Sequence, residues 1–358
     1  MRGVSQTKSK LARLAALLKG KSSLLIVLQD NPDPDAIGAA VALRELANRT
    51  AGVSCSLAYG GTIGRAENRE LVSYLSLNFH PFAQVKPGQF DLVALVDTQP
   101  GTGNNPLPAD ILPDIVIDHH PIKDMTRRAA FTDIRSHYGA TSTLLWEYLC
   151  GAGVVPDTPT ATALLYGILS DTQDIGRDVT QTDIEAMEDL YPLANKRMLR
   201  QIQHGRVPNA YYQMLATALA RTRIYGNCAV CDLGDVDNPD MMGEVADLLL
   251  RHERLSWTLC HGVYASRMLL SLRTQDTQHR ADEVIRRIVR GIGTGGGHAS
   301  MAGGQIPLRP RHPSTPSRTR LSQIVASRFL EALHVANRRG KPLIRILPAE
   351  RATVKGAQ

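Results

Sequence analysis

The sequence lacks what would mark a membrane-spanning, a disulfide-stapled or a fibrous chain. No apolar run approaches the ~20 residues a helix needs to cross a bilayer. Among 358 residues there are five cysteines, Cys55, Cys150, Cys228, Cys231 and Cys260. They are odd in number and scattered, so no disulfide framework follows. Cys228 and Cys231 form one C-x-x-C with no second pair to complete a zinc site. They fall in NCAVCDLG, which reads as a strand, where residues three apart point to opposite faces. Buried thiols are expected there. No segment repeats, and no collagenous or disordered composition is present. Apolar residues make up 43% and charged residues 21%, which fits a globular protein long enough for two domains of ordinary size.

The net charge of +7 hides an uneven distribution. Residues 1–21 carry six basic side chains and no acidic one, and residues 309–358 carry eleven basic and two acidic. The body between them is therefore at −8. Basic ends attract polyanions such as nucleic acid, and a solvated tail explains them equally well. Near the N-terminus, LARLAALL is short, KGK interrupts it, and no small-residue cleavage site follows. An amphipathic first helix, a cytoplasmic location and no membrane contact are the expectations.

Strand-like and helix-like segments alternate through the first half. LLIVL (Leu24 to Leu28), SCSLAY (Ser54 to Tyr59), FDLVALVD (Phe90 to Asp97) and DIVIDHH (Asp114 to His120) read as strands. AIGAAVALRELANRT, TSTLLWEYLC and TATALLYGILSD read as helices. The pattern predicts an α/β fold with a mainly parallel sheet and helices on both faces. From about residue 222 a smaller α/β domain is expected. Its strands are RIYGNCAVCDLG, LSWTLCHGVYA and RMLLSLRT, and its helices GEVADLLLRH and DEVIRRIVRGIG. A proline-rich loop, RPRHPSTPSR, precedes a last helix, LSQIVASRFLEAL. The expected divisions are a basic helix over 1–21, a first domain over 22–192, a helical linker over 193–221, a second domain over 222–335 and a basic tail over 336–358.

The strands end in an unusual way. LLIVL runs into QDNPDPDAIG, LVALV into Asp97, and DIVI into Asp118, His119 and His120. In an open parallel sheet the carboxyl ends of the strands line the ligand crevice. Asp33, Asp35, Asp97, Asp118, His119 and His120 are thus delivered to one edge, and Asp171, after LLYGILS, joins them. Pro34 restricts Asp33 to extended conformations. On an extended backbone Asp33 and Asp35 would share a face, ~6–7 Å apart. That spacing suits two cations ~3.5–4 Å apart, bridged by a third carboxylate. Carboxylates with imidazole suit Mn²⁺, with Mg²⁺ as the alternative. The small residues of AIGAA would let a phosphate approach a helix N-terminus. A P-D-P-D taken alone is a turn, a strand-ending Asp a helix cap, and His-His nothing in particular. Capping does not account for all of them at strand ends of one domain.

These motifs resemble the DHH phosphoesterase superfamily. The resemblance is carried by N-P-D-x-D-A-x-G at Asn31 to Gly38, V-D-T at Val96 to Thr98, I-D-H-H at Ile117 to His120 and S-D-T at Ser170 to Thr172. S-L-R-T at Ser271 to Thr274, G-G-G-H at Gly295 to His298 and A-G-G at Ala302 to Gly304 resemble the DHH-associated domain. The resemblance covers residues 20 to 310 in the family's order and is to the stand-alone nanoRNase and pAp-phosphatase type more than to the larger RecJ-like exonucleases. The resemblance implies one Mn²⁺ held by Asp33 and Asp97. It implies a second held by Asp35, Asp97, His119 and Asp171, and a hydroxide from water as the nucleophile. His120 would face the scissile phosphate and Asp118 would orient the His pair. Arg273, His298 and the backbone of Gly295, Gly296 and Gly297 would grip the far end of the substrate in a cleft between domains. Arg65 and Asn68, in the Gly-rich GGTIGRAEN, and Arg177 are further substrate candidates, with a surface loop as the plain alternative. GATST (Gly139 to Thr143) opens a helix and either binds phosphate or is capped by Thr141 or Ser142.

The departure from the family is Gln29, where a histidine ligand of the first metal is usual. Gln29 could ligate through its amide oxygen, water could fill the place, or the first metal could be lost. The first two are favoured, because Asp33 without a cation is electrostatically costly. The resulting expectation is a Mn²⁺-dependent phosphodiesterase acting on short RNA or linear dinucleotides, with pAp as a second substrate and a homodimer as the assembly. A cyclic-dinucleotide phosphodiesterase, an inorganic pyrophosphatase and a nucleotide-binding protein without turnover are the rivals.

Overall fold

The structure is a computed structural model, which describes residues 2–176, 179–308 and 317–344, with side chains from Thr7 onward. Arg177, most of the proline-rich loop and the tail beyond residue 344 lie outside the described residues. The chain divides into two compact units, before and after the Arg206–Val207 bond. No described helix is long and apolar enough to cross a membrane.

The first unit runs α1 (Arg2–Leu18), β1 (Ser23–Asp30), α2 (Pro34–Ala51), β2 (Ser54–Gly60), α3 (Ala66–Leu75), β3 (Phe79–Pro81), β4 (Leu92–Val96), β5 (Ile115–Asp118), β6 (Phe131–Ile134), α4 (Thr141–Gly151), α5 (Thr158–Asp171), α6 (Gln181–Leu193) and α7 (Lys196–Gln203). Its six strands are in the order β3-β2-β1-β4-β5-β6 and pair in parallel throughout. The apolar run of β1 is continuous because both faces are covered. Leu24, Ile26 and Leu28 pack into the large core with α2, α4 and α5, while Leu25 and Val27 pack into a second, smaller core. Phe82, Val85 and Phe90 close that smaller core. The strand order reverses between β1 and β4, and in such sheets the crevice opens where it reverses. Asp33 follows β1 and Asp97 follows β4, so they flank that point.

The glycine of the first motif serves helix packing, as does one in α5. A Cβ on Gly38 of α2 would lie 2.7 Å from the Ala163 carbonyl oxygen of α5, and one on Gly167 of α5 would lie 3.0 Å from Cα of Asp35. The small residues of AIGAA therefore let two helices touch, rather than admitting a phosphate. Gly38→Val is expected to destabilise the unit by more than the ~1–3 kcal/mol of ordinary overpacking, since the obstacle is backbone. A thermal melt of the variant beside the parent checks this.

The second unit contains α8 (Asn209–Arg221), β7 (Arg223–Tyr225), β8 (Cys228–Asp235), α9 (Met241–Leu250), β9 (Trp257–Tyr264), β10 (Arg267–Thr274), α10 (Ala281–Val289), β11 (Thr294–Gly297), β12 (Met301–Pro307), α11 (Arg318–Ala332) and β13 (Lys341–Pro342). Its sheet has the order β11-β12-β10-β9-β8-β7-β13, with β8 and β9 parallel and the other pairs antiparallel. Cys228 packs with α10 and α11, and Cys231 with α9 on the opposite face. Both are buried free thiols, which follows from their spacing along a strand.

Candidate metal centre

The first motif is built around a sharp change of backbone at the end of β1. Asn31 adopts a left-handed conformation, φ 55°, and its side-chain oxygen accepts from the Thr62 N–H at 2.8 Å. Asp33 is extended, φ −89° and ψ 176°, as Pro34 requires. The same proline then starts α2, so the extended stretch stops at Asp33. Asp35 consequently lies in the first helical turn and does not share an extended face with Asp33. Asp33 is the helix N-cap, with Oδ1 accepting from the Ala36 N–H at 2.9 Å. Its other oxygen accepts from Nε2 of Gln29 at 2.8 Å.

Asp35 is buried and meets the start of α4. Its two carboxylate oxygens accept from the backbone N–H groups of Thr141 and Ser142, each at 2.7 Å. No side chain caps α4. Asp35 supplies that function from a distant helix, so these N–H groups are not left for a phosphate. Thr141 Oγ1 donates to Asp97 Oδ1 at 2.8 Å instead of capping its own helix. Asp97 is 2% exposed and takes a left-handed conformation, φ 59°, one that aspartate tolerates better than most residues. Its N–H donates to the Ile117 carbonyl at 2.9 Å.

The two histidines are held by different groups. His119 Nδ1 lies 3.0 Å from the Tyr138 carbonyl oxygen, so Nδ1 carries a proton and Nε2 is turned toward the carboxylates. Nε2 sits 3.1 Å from Asp171 Oδ2 and 3.7 Å from Asp97 Oδ1. His120 Nδ1 is 2.7 Å from Asp118 Oδ1. Asp118 thus orients His120, whereas Tyr138 orients His119. Asp118 Oδ2 in turn accepts from Nε2 of Gln99 at 2.7 Å. Gln99 is fully buried, and its oxygen accepts from the Lys123 N–H and Thr126 Oγ1, each at 2.8 Å. Nothing in the sequence around Gln99 marked it. Gln99→Met keeps the volume and removes the hydrogen bonds. It is expected to weaken divalent-cation binding at this centre by the ~10–100-fold that follows loss of a supporting contact. A Mn²⁺ titration beside a thermal melt of the metal-free variant separates this role from a packing role.

Charge is unbalanced in the site. Burial, followed by the Asp171 charge, raises the Asp33 carboxyl, and the same two causes push Asp35 up to about 7. Burial with Asp35 and Asp33 nearby raises Asp97 well above the carboxylate range. Burial opposes the charge on His119, but Asp171, Asp97 and Asp35 outweigh it and hold its pKa well above the usual value. Burial also opposes the charge on Asp118, yet hydrogen bonding and charge from His120 hold its carboxyl below the usual range. The site carries more carboxylate than its own histidines can neutralise, which is the condition a divalent cation relieves. Two sets of ligand atoms fall within 4.8 Å of one another: Asp97, His119 and His120, and Asp35, His119 and Asp171. This nitrogen and oxygen donor set fits a hard or borderline divalent cation.

The other candidates lie elsewhere. Asn68 belongs to α3 and not to a loop. It is buried, and its amide donates to the Pro32 carbonyl at 2.9 Å, bracing the first motif. Arg65 precedes α3 and lies 3.6 Å from Glu67. Arg273, in the second unit, donates to Asp247 at 2.6 Å and Ser271 at 2.8 Å. Gly295, Gly296 and Gly297 lie in β11 after Thr294, and the His298 N–H closes the hairpin on the Met301 carbonyl at 2.7 Å. A Cβ on Gly295 would press on Ile285 and Val289 of α10, and one on Gly297 would collide with Met301 and Ala302. A Cβ on Gly296 would enter open space, so this glycine is the one whose backbone is open to approach.

A family model described as the DHH family, N-terminal domain, matches residues 23–184. An uncharacterized protein of Methanocaldococcus jannaschii is 35% identical over 291 residues, which is 80% of this chain and 59% of that protein. The chain therefore spans less than two thirds of this relative. An exopolyphosphatase-related protein from Bacteroides fragilis superposes with a TM-score of 0.70 at 14% identity, covering 91% of this chain and 96% of its own. RecJ from Thermus thermophilus, in complex with Mn²⁺, superposes with a TM-score of 0.51 at 14% identity, covering 90% and 55%. At these identities the two structures establish a shared fold.

Proposed function

Because residues 23–184 are a DHH-family N-terminal domain, we propose that this chain is a metal-dependent phosphodiesterase that hydrolyses short oligoribonucleotides or linear dinucleotides to mononucleotides, with pAp as a second substrate. The observation that carries the reading is His119. Its Nδ1 is fixed on Tyr138 while Nε2 stands 3.1 Å from Asp171 and 3.7 Å from Asp97. Asp35, Asp97, His119 and Asp171 would hold the cation, Mn²⁺ or Mg²⁺. When bound, such a cation lowers the pKa of water and neutralises phosphate charge.

The chain's own residues supply the rest. Thr141 fixes the Asp97 carboxylate, and the helix-start N–H groups fix that of Asp35. Asp118 holds His120 by Nδ1 and so directs Nε2 away from the carboxylate. His120 would thus present Nε2 to a non-bridging phosphate oxygen, where negative charge accumulates. Arg273, His298 and the Gly296 backbone are the proposed contacts for the rest of the substrate.

The rival reading, nucleotide binding without turnover, draws on the Gln29–Asp33 hydrogen bond. The deciding experiment uses chain stripped of metal and then given Mn²⁺ or Mg²⁺. Hydrolysis of linear pApA is followed beside a longer RNA, a cyclic dinucleotide and pAp. Preferred turnover of pApA is expected. Tight pApA binding with no turnover on any substrate would establish the rival.

A further inference from the structure

We propose that Gln29 closes one cation position of this site, so that the chain holds a single divalent cation, between Asp35, Asp97, His119 and Asp171. Asp33 would then be held by neutral N–H groups. The inference rests on the metal-dependent reading above and deepens it.

The decisive feature is which end of the Gln29 amide faces Asp33. Oxygen and nitrogen of an amide can exchange by a half-turn, so the orientation must be read from the hydrogen bonds around it. Here those bonds form a chain that starts on the backbone. The Leu107 N–H donates to Asn105 Oδ1 at 3.3 Å, and Asn105 Nδ2 donates to the Gln99 carbonyl at 2.9 Å. A backbone donor and a backbone acceptor therefore fix the Asn105 amide. Its Nδ2 also donates to Thr98 Oγ1 at 3.1 Å, so the threonine hydroxyl has its hydrogen free to donate onward. That hydrogen goes to Asn104 Oδ1 at 2.8 Å, which turns Asn104 Nδ2 toward Gln29 Oε1 at 3.4 Å. The Gln29 oxygen is thereby engaged, and Nε2 faces Asp33 Oδ2 at 2.8 Å.

Two consequences follow. A cation on this face of Asp33 would meet the positive end of an amide dipole rather than a ligand oxygen. Turning Gln29 to offer its oxygen would set its N–H₂ group against that of Asn104 across 3.4 Å, so the amide network of residues 98–107 would have to turn with it. The electrostatic cost of Asp33 without a cation, which made loss of that position unattractive from sequence, is offset differently. Asp33 accepts from both the Ala36 N–H and Gln29 Nε2, and these two hydrogen bonds favour its carboxylate. Among the described residues, Asp33 belongs to neither set of clustered ligand atoms.

The test counts metal. The full chain is stripped with a chelator, loaded with Mn²⁺ and desalted. Bound manganese per chain is measured by elemental analysis, and its electronic state by electron paramagnetic resonance. One Mn²⁺ per chain is expected, with the spectrum of an isolated ion. Gln29→His should raise the count to two and produce the spectrum of an exchange-coupled pair. Asp33→Asn should leave the count at one, whereas a two-cation site would lose an ion. Two Mn²⁺ in the parent chain, or a lower count in Asp33→Asn, would overturn the proposal while leaving the phosphodiesterase reading intact. No bound Mn²⁺ at any loading concentration, together with no turnover, would overturn both.

Discussion

Asp97→Asn should abolish hydrolysis of pApA while leaving the fold in place. The substitution keeps the side-chain volume, and asparagine tolerates the left-handed conformation that position 97 adopts. An amide oxygen can still accept from Thr141. What is removed is the negative charge lying 3.7 Å from both His119 Nε2 and His120 Nδ1. Losing a direct ligand should exceed the ~10–100-fold effect typical of a group one contact further out. The metal-free variant should melt no lower than the parent, because one member of a buried like-charged set has been neutralised. Steady-state kinetics with a melting curve on the same preparation check both halves. Retained turnover would remove this site from the chemistry.

The metal-free chain should lose stability as pH rises through about 7, and Mn²⁺ should restore it. Asp35 has a folded pKa raised to about 7 from 3.8, with burial as the main cause and Asp171 as the next. A carboxyl raised in this way binds its proton more tightly folded than unfolded. Its contribution is complete below the unfolded pKa and disappears as pH climbs through the folded one. Asp97 and His119 are raised as well, so their contributions have the same sign. Asp118 is lowered, so its contribution is present above its unfolded value and constant across this window. A cation displaces these protons, so Mn²⁺ should bind more tightly, and stabilise more, at pH 8 than at pH 6. At 100 to 1,000 times the Kd the stabilisation would be about 2.7–4.1 kcal/mol. Melting curves at pH 6, 7 and 8, with chelator and with Mn²⁺, measure both effects. A metal-free melting temperature flat across that range would contradict the charge crowding inferred for the site.

The strands and the ends of the strands were legible in the amino-acid sequence. Runs such as LLIVL and LVALV are apolar at every position because both sheet faces are covered, and a strand buried on both sides has no other composition available. Their abrupt change to aspartate and histidine marks where the sheet opens to the crevice. The opposite facing of Cys228 and Cys231 follows from strand periodicity alone. In each case the information is local, carried by neighbours along the chain.

Only the tertiary structure decided how the polar groups are paired. Asp33 and Asp35 are two residues apart, yet one caps its own helix and the other caps a helix 106 residues away. His119 and His120 are adjacent but are oriented by Tyr138 and Asp118 respectively. Gln99 and Asn104 carry no motif, and Asn68 in sequence resembles a loop residue. The orientation of Gln29 depends on an amide network closed by the 98–107 loop. Hydrophobic patterning is a property of a segment, whereas a hydrogen bond needs its second partner in place, and the fold alone brings that partner there.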